Sequence, residues 1–447
     1  MRAHGFALGA LLLALGGCAN APPADDLAPL RALAESRLGT QLPDPGADIA
    51  LPTGELDLAS ALRISFARNP ELQANLSEIG VARAEFAAAS TFPNPVLGLV
   101  ARLPNQPHSA ANIEFDLLAN LLDLLLRPQR IAGERMALEE TILAASSALL
   151  GLAAEVESAY LTAIADGAKL RTRKALLRQA RADHESAARL RKEGVVSATT
   201  LLRAEALVAE HRIEVLDAGQ ARKASLARLA RLLGLPGDDA RALRLPKRLP
   251  ALPALPPAVL APEAIAVAQR PEIDAARKSI ERRALARKIA LDWRWLPALQ
   301  GGLAGERSSE GGLAFGPRLE IGLPVFDRGE PRLARLGAEL LIAQQRLAGR
   351  MLDVQTQARL AADTVAKRHQ AARLQQDTLT PLRRRMLEVA GDLRKLGVAG
   401  ADELGLARQD YLRAANARLD ALRDYWLAEA ALRRALGGTL VDPRGSP

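Results

Sequence analysis

The chain has 447 residues, a formal net charge of +9, 3% aromatic residues and one cysteine. A single cysteine excludes an intrachain disulfide. The basic residues alternate with Asp and Glu along segments rich in Ala and Leu, a pattern typical of solvated helix faces. We therefore expect no nucleic-acid partner, in spite of the positive charge.

The N-terminus predicts a lipoprotein signal. The apolar run from Phe6 to Leu15 is too short to span a bilayer, and it leads into Leu15-Gly16-Gly17-Cys18. This ending matches the lipobox of bacterial lipoproteins, in which the cysteine is lipidated. The alternative is an ordinary signal with an incidental cysteine. We predict a signal peptide at 1–17, lipidation (palmitate) at Cys18 and a surface tether at 18–55. Ala19 is not the aspartate of the usual inner-membrane retention signal.

Helices dominate the rest of the first half. Asp57 to Arg68 predicts a short helix, and a second helix starts at Pro70 and runs to about Ser90. Gln129 to Arg191 predicts one helix of roughly 95 Å, since apolar residues return every three or four positions. After a turn at Gly194 the pattern resumes to Gly234, which makes a long helical hairpin (129–234).

Two short segments before this hairpin, 94–103 and 111–119, predict strands. Ile113, Phe115 and Leu117 alternate with Asn112, Glu114 and Asp116. This alternation fits half-buried soluble strands and also a membrane barrel with a watery lumen. Six aromatic residues beside or within the predicted strands of both halves favour the barrel: Phe92, Phe115, Trp293, Trp295, Phe315 and Phe326. Four strands cannot close a barrel, so other copies of the chain would have to complete it.

The second half repeats the first. Arg394-Lys395-Leu396-Gly397-Val398 matches Arg191-Lys192-Glu193-Gly194-Val195 at a displacement of 203 positions. Between the copies, 236–262 carries seven prolines, which predicts a crossover linker. The first unit spans 56–235 and the second 263–438, followed by a tail at 439–447. Within the second unit we predict strands at 298–306 and 314–323 and a hairpin at 331–436, kinked at Pro381.

Candidate chemistry is sparse. The histidines are scattered, with no pair at metal-ligand spacing, so we expect no metal site. Gly301 to Gly305 is followed by alternating strand residues and not by a helix, which argues against a phosphate loop. We expect neither an enzyme nor a cofactor.

The residues resemble the TolC family of bacterial outer-membrane efflux channels, in particular its lipoprotein members. The resemblance lies in Ala61-Leu62, in Ala67-Arg68-Asn69-Pro70-Glu71-Leu72, in Leu323-Pro324-Val325-Phe326-Asp327-Arg328-Gly329 and in the two turns at Gly194 and Gly397. It implies a mainly α fold with a membrane β-barrel portion: a homotrimer with a 12-stranded barrel in outer-membrane lipid and a 12-helix tunnel in the periplasm. It also implies a periplasmic adaptor and an inner-membrane transporter, which we expect to be RND-type, as partners in efflux.

The same resemblance suggests site residues. Gly194, Val195, Val196, Gly397 and Val398 would form the adaptor-docking tips, and Asp402 and Glu403 an acidic gate. Leu406 departs from the family pattern, where a second acidic residue is expected. From the strand alternation we predict Glu114, Asp116 and Glu320 in the barrel lumen. Two alternatives remain open: a periplasmic lipoprotein scaffold or adaptor without a pore, and a type I protein-secretion channel.

Overall fold

A computed structural model of the chain describes residues 25–103, 111–237, 243–308, 312–398 and 400–438, without the side chains of Ala401 and Asp402. The first repeat contains α1 (Ala28–Leu38), α2 (Leu58–Arg68), α3 (Pro70–Ser90), β1 (Val96–Arg102), β2 (Asn112–Asn120), α4 (Leu121–Lys192) and α5 (Ala198–Leu232). The second contains α6 (Pro262–Gln269), α7 (Pro271–Asp292), β3 (Leu299–Arg307), β4 (Leu313–Ile321), α8 (Glu330–Leu374), α9 (Thr380–Lys395) and α10 (Ala401–Ala435). The fold is thus mainly helical with a small antiparallel sheet, as the sequence predicts.

Side-chain caps begin several of these helices. The Asp57 carboxylate accepts from the Ser60 amide at 3.0 Å, and the Asn69 amide oxygen accepts from the Leu72 amide at 3.0 Å. Asn120 and Ser197 cap α4 and α5 in the same way. Each cap satisfies an amide that lacks a partner in the first helical turn, and so it fixes where the helix starts.

The long helix α4 begins at Leu121, eight residues before the predicted Gln129, and it contains Pro128. Proline inside a helix removes a hydrogen bond, which is why the sequence placed the start after it. Tertiary contacts compensate for that loss: the Arg127 guanidinium donates to the Ser90 carbonyl and lies 4.4 Å from the centre of the Phe92 ring. The strands start and end within two residues of the predicted limits.

A five-residue π-helical turn, Gln375–Leu379, joins α8 to α9 directly before Pro381. The expected kink at Pro381 is therefore a local widening of a continuous helix. Proline has no amide hydrogen to donate to the carbonyl four residues earlier, and a π turn redistributes the hydrogen bonds around this gap. The side-chain oxygens of Gln375 and Thr380 are buried there without a partner among the described residues.

Two apolar cores hold the helices together. The first joins α1, α2 and α3 to the middle of α4 and the end of α5, and the second joins α6, α8 and α10. Leu30 and Ala34 of α1 are fully buried in the first core. The prediction of a surface tether over 18–55 is therefore wrong for this helix: Leu30 and Ala34 lie one turn apart on one face and pack inward.

The four strands form one antiparallel sheet in the order β1-β2-β3-β4. The two repeats meet at the β2–β3 pair, where Asp116 lies opposite Ala304 and Leu117 opposite Leu303. Among the described residues, β1 and β4 each have one neighbouring strand only, so both outer edges of the sheet are unpaired.

Candidate functional site

The sheet carries all but one of its charges on one face; the exception is Arg307, which lies opposite Ile113 and Leu313 at the end of β3. Residues that lie directly opposite each other in an antiparallel sheet point to the same side. Gly98, Asp116 and Ala304 are opposite one another, and Glu320 is opposite Gln300. By this register the three predicted lumen residues share one face with six further charged or polar residues: Arg102, Asn112, Asn120, Gln300, Glu306 and Arg318.

These side chains interact in three groups. Arg318 lies 3.6 Å from Asp116 and donates to Glu320 at 2.9 Å. Arg102 pairs with Glu114, and the Asn112 amide donates to Glu306 at 2.8 Å. Together the three groups have four carboxylates and two guanidinium groups, which leaves the face acidic. The sequence analysis did not include Arg102 or Glu306, because they pair with β2 across the sheet, and a single strand pattern does not show this.

The opposite face of the sheet is apolar and exposed. Eight of its large side chains are between 42% and 72% exposed: Leu97, Leu99, Leu117, Leu303, Leu313, Phe315, Leu319 and Ile321. Phe115 and Phe315 meet edge to face at 5.3 Å over Gly305, where a Cβ would lie 2.5 Å from the Phe115 ring. A contiguous apolar face of this kind indicates contact with lipid or with another protein surface.

The two helical turns have the same geometry. Gly194 has φ +73° and Gly397 has φ +75°. The amide of Val195 donates to the Leu190 carbonyl at 2.9 Å, and that of Val398 donates to the Leu393 carbonyl at 3.0 Å. This is the Schellman motif, which ends a helix at a residue in the left-handed region. Val195 and Val398 are 66% and 75% exposed at these turns, and Val196 is half-buried beside the first.

The predicted gate residues lie just past the second turn, at the start of α10. Glu403 is exposed, and the side chain of Asp402 is outside the described residues. Two ion pairs hold this end of α10 in place: Arg408 pairs with Asp183 of the first hairpin, and Arg383 pairs with Asp410 at 2.8 Å. The sequence analysis missed both pairs, because their partners are 225 and 27 positions apart.

Two further sequence predictions concern Cys18 and metal binding. Cys18 lies outside the described residues. In the ranges that the structure describes, no group of three or more His, Cys, Asp or Glu side chains is placed to hold a metal ion.

Comparison with known proteins relates both sequence and fold to one family. Residues 62–235, the first repeat, match the family model described as "Outer membrane efflux protein". A sequence search among curated proteins gave no match.

Several solved structures resemble this chain over nearly its whole length. A membrane protein from Pseudomonas aeruginosa is 20% identical with a TM-score of 0.72, and the match covers 89% of this chain and 98% of that one. The CmeC outer membrane channel of Campylobacter jejuni is 15% identical with a TM-score of 0.74, over 88% of this chain and 89% of that one. The outer membrane protein VceC of Vibrio cholerae is 16% identical with a TM-score of 0.72, over 86% and 96%. The first repeat is thus similar in sequence to outer membrane efflux proteins, and nearly the whole chain has the fold of solved outer-membrane channels.

Proposed function

We propose that the chain is the outer-membrane channel subunit of a tripartite efflux system. Three copies form a passive conduit from an RND-type inner-membrane transporter and a periplasmic adaptor to the exterior. The sheet lies in the outer membrane and the helices extend into the periplasm, with lipidation at Cys18 as a second attachment. The match of the first repeat to the efflux family and the shared fold of solved outer-membrane channels support this proposal.

The observation that carries the proposal is the two-faced sheet with unpaired edges. An exposed apolar face needs a nonpolar surrounding, and an open sheet edge is not tolerated in lipid. Three sheets of four strands joined edge to edge remove every free edge and give the proposed 12-stranded barrel. The apolar face then meets lipid and the acidic face lines a watery lumen, which is the arrangement of transmembrane β-barrels.

A periplasmic scaffold or adaptor without a pore explains the hairpins and the lipid anchor. It leaves the exposed apolar face of the sheet without a partner. A type I protein-secretion channel shares the barrel and the tunnel and differs in its pump, which these residues do not specify. We therefore retain the efflux channel as the proposed function.

Conductance in a planar bilayer tests the proposal. Purified Cys18→Ala protein should insert without its acyl chains and give discrete channel steps, because the barrel itself holds the protein in lipid. A matched preparation of heat-unfolded protein serves as the control. Protein that stays folded and trimeric but never conducts would support the scaffold alternative.

A further inference from the structure

One face of α4 changes along its length from buried apolar side chains to exposed basic side chains. Leu149, Val156 and Tyr160 are buried on this face beneath α2 and the crossover, and the Tyr160 hydroxyl donates to the Leu56 carbonyl at 2.9 Å. Continuing in steps of three or four residues, the same face reaches Gly167 and then four exposed basic residues: Arg171, Lys174, Arg178 and Arg181. We call these four residues the basic stripe.

The basic stripe begins where α2 and the crossover cease to cover α4. The Arg171 guanidinium donates to the Lys247 carbonyl in the crossover, and the exposed side chains of Lys247 and Arg248 follow directly in that segment. The stripe therefore lies on the side of the hairpin that α2 and the crossover cover, between these two segments and the tip at Gly194.

Its charges are not neutralised within the described part of the chain. Lys174, Arg178 and Arg181 have no carboxylate within ion-pair distance there, whereas neighbouring basic residues on other faces of α4 do. Lys169 pairs with Asp420, and Arg173 pairs with Glu214 at 2.8 Å. The basic residues that face the helical neighbours are thus paired, and those that face outward are not.

The second repeat has no such stripe. At the displacement of 203 positions, the four residues correspond to Leu374, Asp377, Pro381 and Arg384. Asp377 pairs there with Arg373 at 2.8 Å, and Arg384 pairs with Glu388 at 3.1 Å. The stripe is therefore a feature of the first repeat. The second helical hairpin forms without an equivalent stripe, so the hairpin fold does not require one.

We propose that the basic stripe binds the carboxylate-bearing peptides of the cell-wall polymer. This inference depends on the proposed outer-membrane placement of the sheet. Arg171 lies 50 residues beyond the start of α4, which is about 75 Å below the sheet at 1.5 Å per residue. The headgroups of the outer membrane do not extend to that depth, whereas the cell wall is an anionic network within the periplasm.

Charge complementarity would hold the polymer loosely. Exposed ion pairs contribute little each and weaken as salt is added, because the Debye length is about 8 Å at physiological ionic strength. Several such contacts on each of three subunits act together through multivalency. The expected result is a channel that is held upright in the cell wall while the tips remain available.

Co-sedimentation with purified, insoluble cell-wall sacculi tests the proposal, with the full-length trimer in detergent. The variant Lys174→Gln, Arg178→Gln, Arg181→Gln should bind at least about ten-fold more weakly, because every subunit of the trimer loses three exposed contacts. The matched control Arg346→Gln, Arg350→Gln, Lys367→Gln removes three exposed charges from α8 and should bind like the wild type. Sacculi whose carboxylates have been amidated should bind neither protein.

Other outcomes would overturn the proposal. Equal binding of both variants would show that the stripe is not the contact. Binding of the wild type to anionic lipid vesicles but not to sacculi would assign the stripe to a membrane surface. Dissociation of the trimer in the stripe variant alone would place the stripe against a neighbouring subunit. Planar-bilayer conductance of the same variant separates these results from failure of the channel function, because the stripe variant should conduct normally.

Discussion

Arg318 is the residue on which the charge of the acidic sheet face depends. It contacts both Asp116 and Glu320, so two of the predicted lumen carboxylates share one guanidinium. Glu114 is paired separately with Arg102. Because carboxylates outnumber guanidinium groups on this face, the lumen of a trimer would carry a negative field that favours cations.

Removing these carboxylates should lower the cation preference. We expect the variant Glu114→Gln, Asp116→Asn, Glu320→Gln to shift the reversal potential under a salt gradient away from cation preference and toward anion preference, because the remaining Arg102 and Arg318 outnumber Glu306. The matched variant Arg318→Gln should shift it the opposite way. Reversal potentials that are unchanged in both variants would show that this face does not line the conduit.

Asp57 supplies a pH-dependent cap at the start of α2. Its hydrogen bonds with Ser60 hold the pKa of the carboxyl below its ordinary value. A lowered folded-state pKa means that the ionised cap stabilises the fold above the unfolded pKa, and that this stability is lost as the pH falls through the folded pKa.

We expect Asp57→Ala to cost about 1 kcal/mol near pH 7, the usual contribution of a helix cap. Thermal unfolding followed by circular dichroism should show the wild-type advantage shrink as the pH falls through the lowered folded-state pKa of Asp57. Asp57→Asn keeps a cap without a titrating charge, so its advantage over the alanine variant should not change with pH. A wild-type advantage that persists unchanged at low pH would contradict an ionised cap.

Glu403 is exposed at the start of α10, close to the turn at Gly397. Three copies around a narrow axis would repel one another unless cations bind between them. We expect Glu403→Ala to raise basal conductance or to reduce block by divalent cations in planar bilayers. Glu205→Ala, which removes an exposed carboxylate from the first hairpin, is the control. Identical divalent block in wild type and Glu403→Ala would remove Glu403 from the gate.

At the scale of elements, the two turns are the most sharply defined. Among the residues that the structure describes, none lies within 4 Å of a Cβ built on Gly194 or Gly397, so a side chain at either position meets open space. Its cost comes from the positive φ, about 1–2 kcal/mol for a residue with a Cβ. A bulky residue therefore changes the exposed tip and leaves the helical packing intact.

We expect Gly194→Leu or Gly397→Leu to abolish export in a strain that needs the protein for resistance, with the trimer preserved on size-exclusion chromatography. Gly219→Leu is the control, because Gly219 lies within α5, has open space around its Cβ and has no positive φ. Normal resistance in both tip variants would contradict docking at these turns.

The elements differ in how well the sequence predicted them. Period-two alternation in β2 and the displaced glycine turns are local signals, so the strands and tips were predictable. The start of α4 was not, because the packing of Arg127 against Phe92 and Ser90 overrides the signal of Pro128. The burial of Leu30 depends on contacts with residues far along the chain, and the pairing of Asp183 with Arg408 joins two hairpins. No single-sequence pattern contains such contacts.

At the scale of the whole molecule, a single chain leaves parts of its described sheet without partners. The sheet has an apolar face without a cover and two edges without partners among the described strands. Pairing β4 of one copy with β1 of the next would close the sheet into a barrel. This pairing alone does not determine how many copies the barrel contains. We propose three copies, as the family resemblance implies.

Cross-linking across the proposed β1–β4 seam tests this claim most directly. Leu97→Cys in β1 and Leu319→Cys in β4 place thiols on the exposed apolar face of the two edge strands, and Cys18→Ala removes the native cysteine. A short thiol-specific cross-linker applied to the membrane-embedded protein should give covalent species of two and three chains and none larger, while each single-cysteine control stays monomeric. Absence of any species above the monomer, or a ladder that continues past three chains, would contradict a closed trimeric barrel.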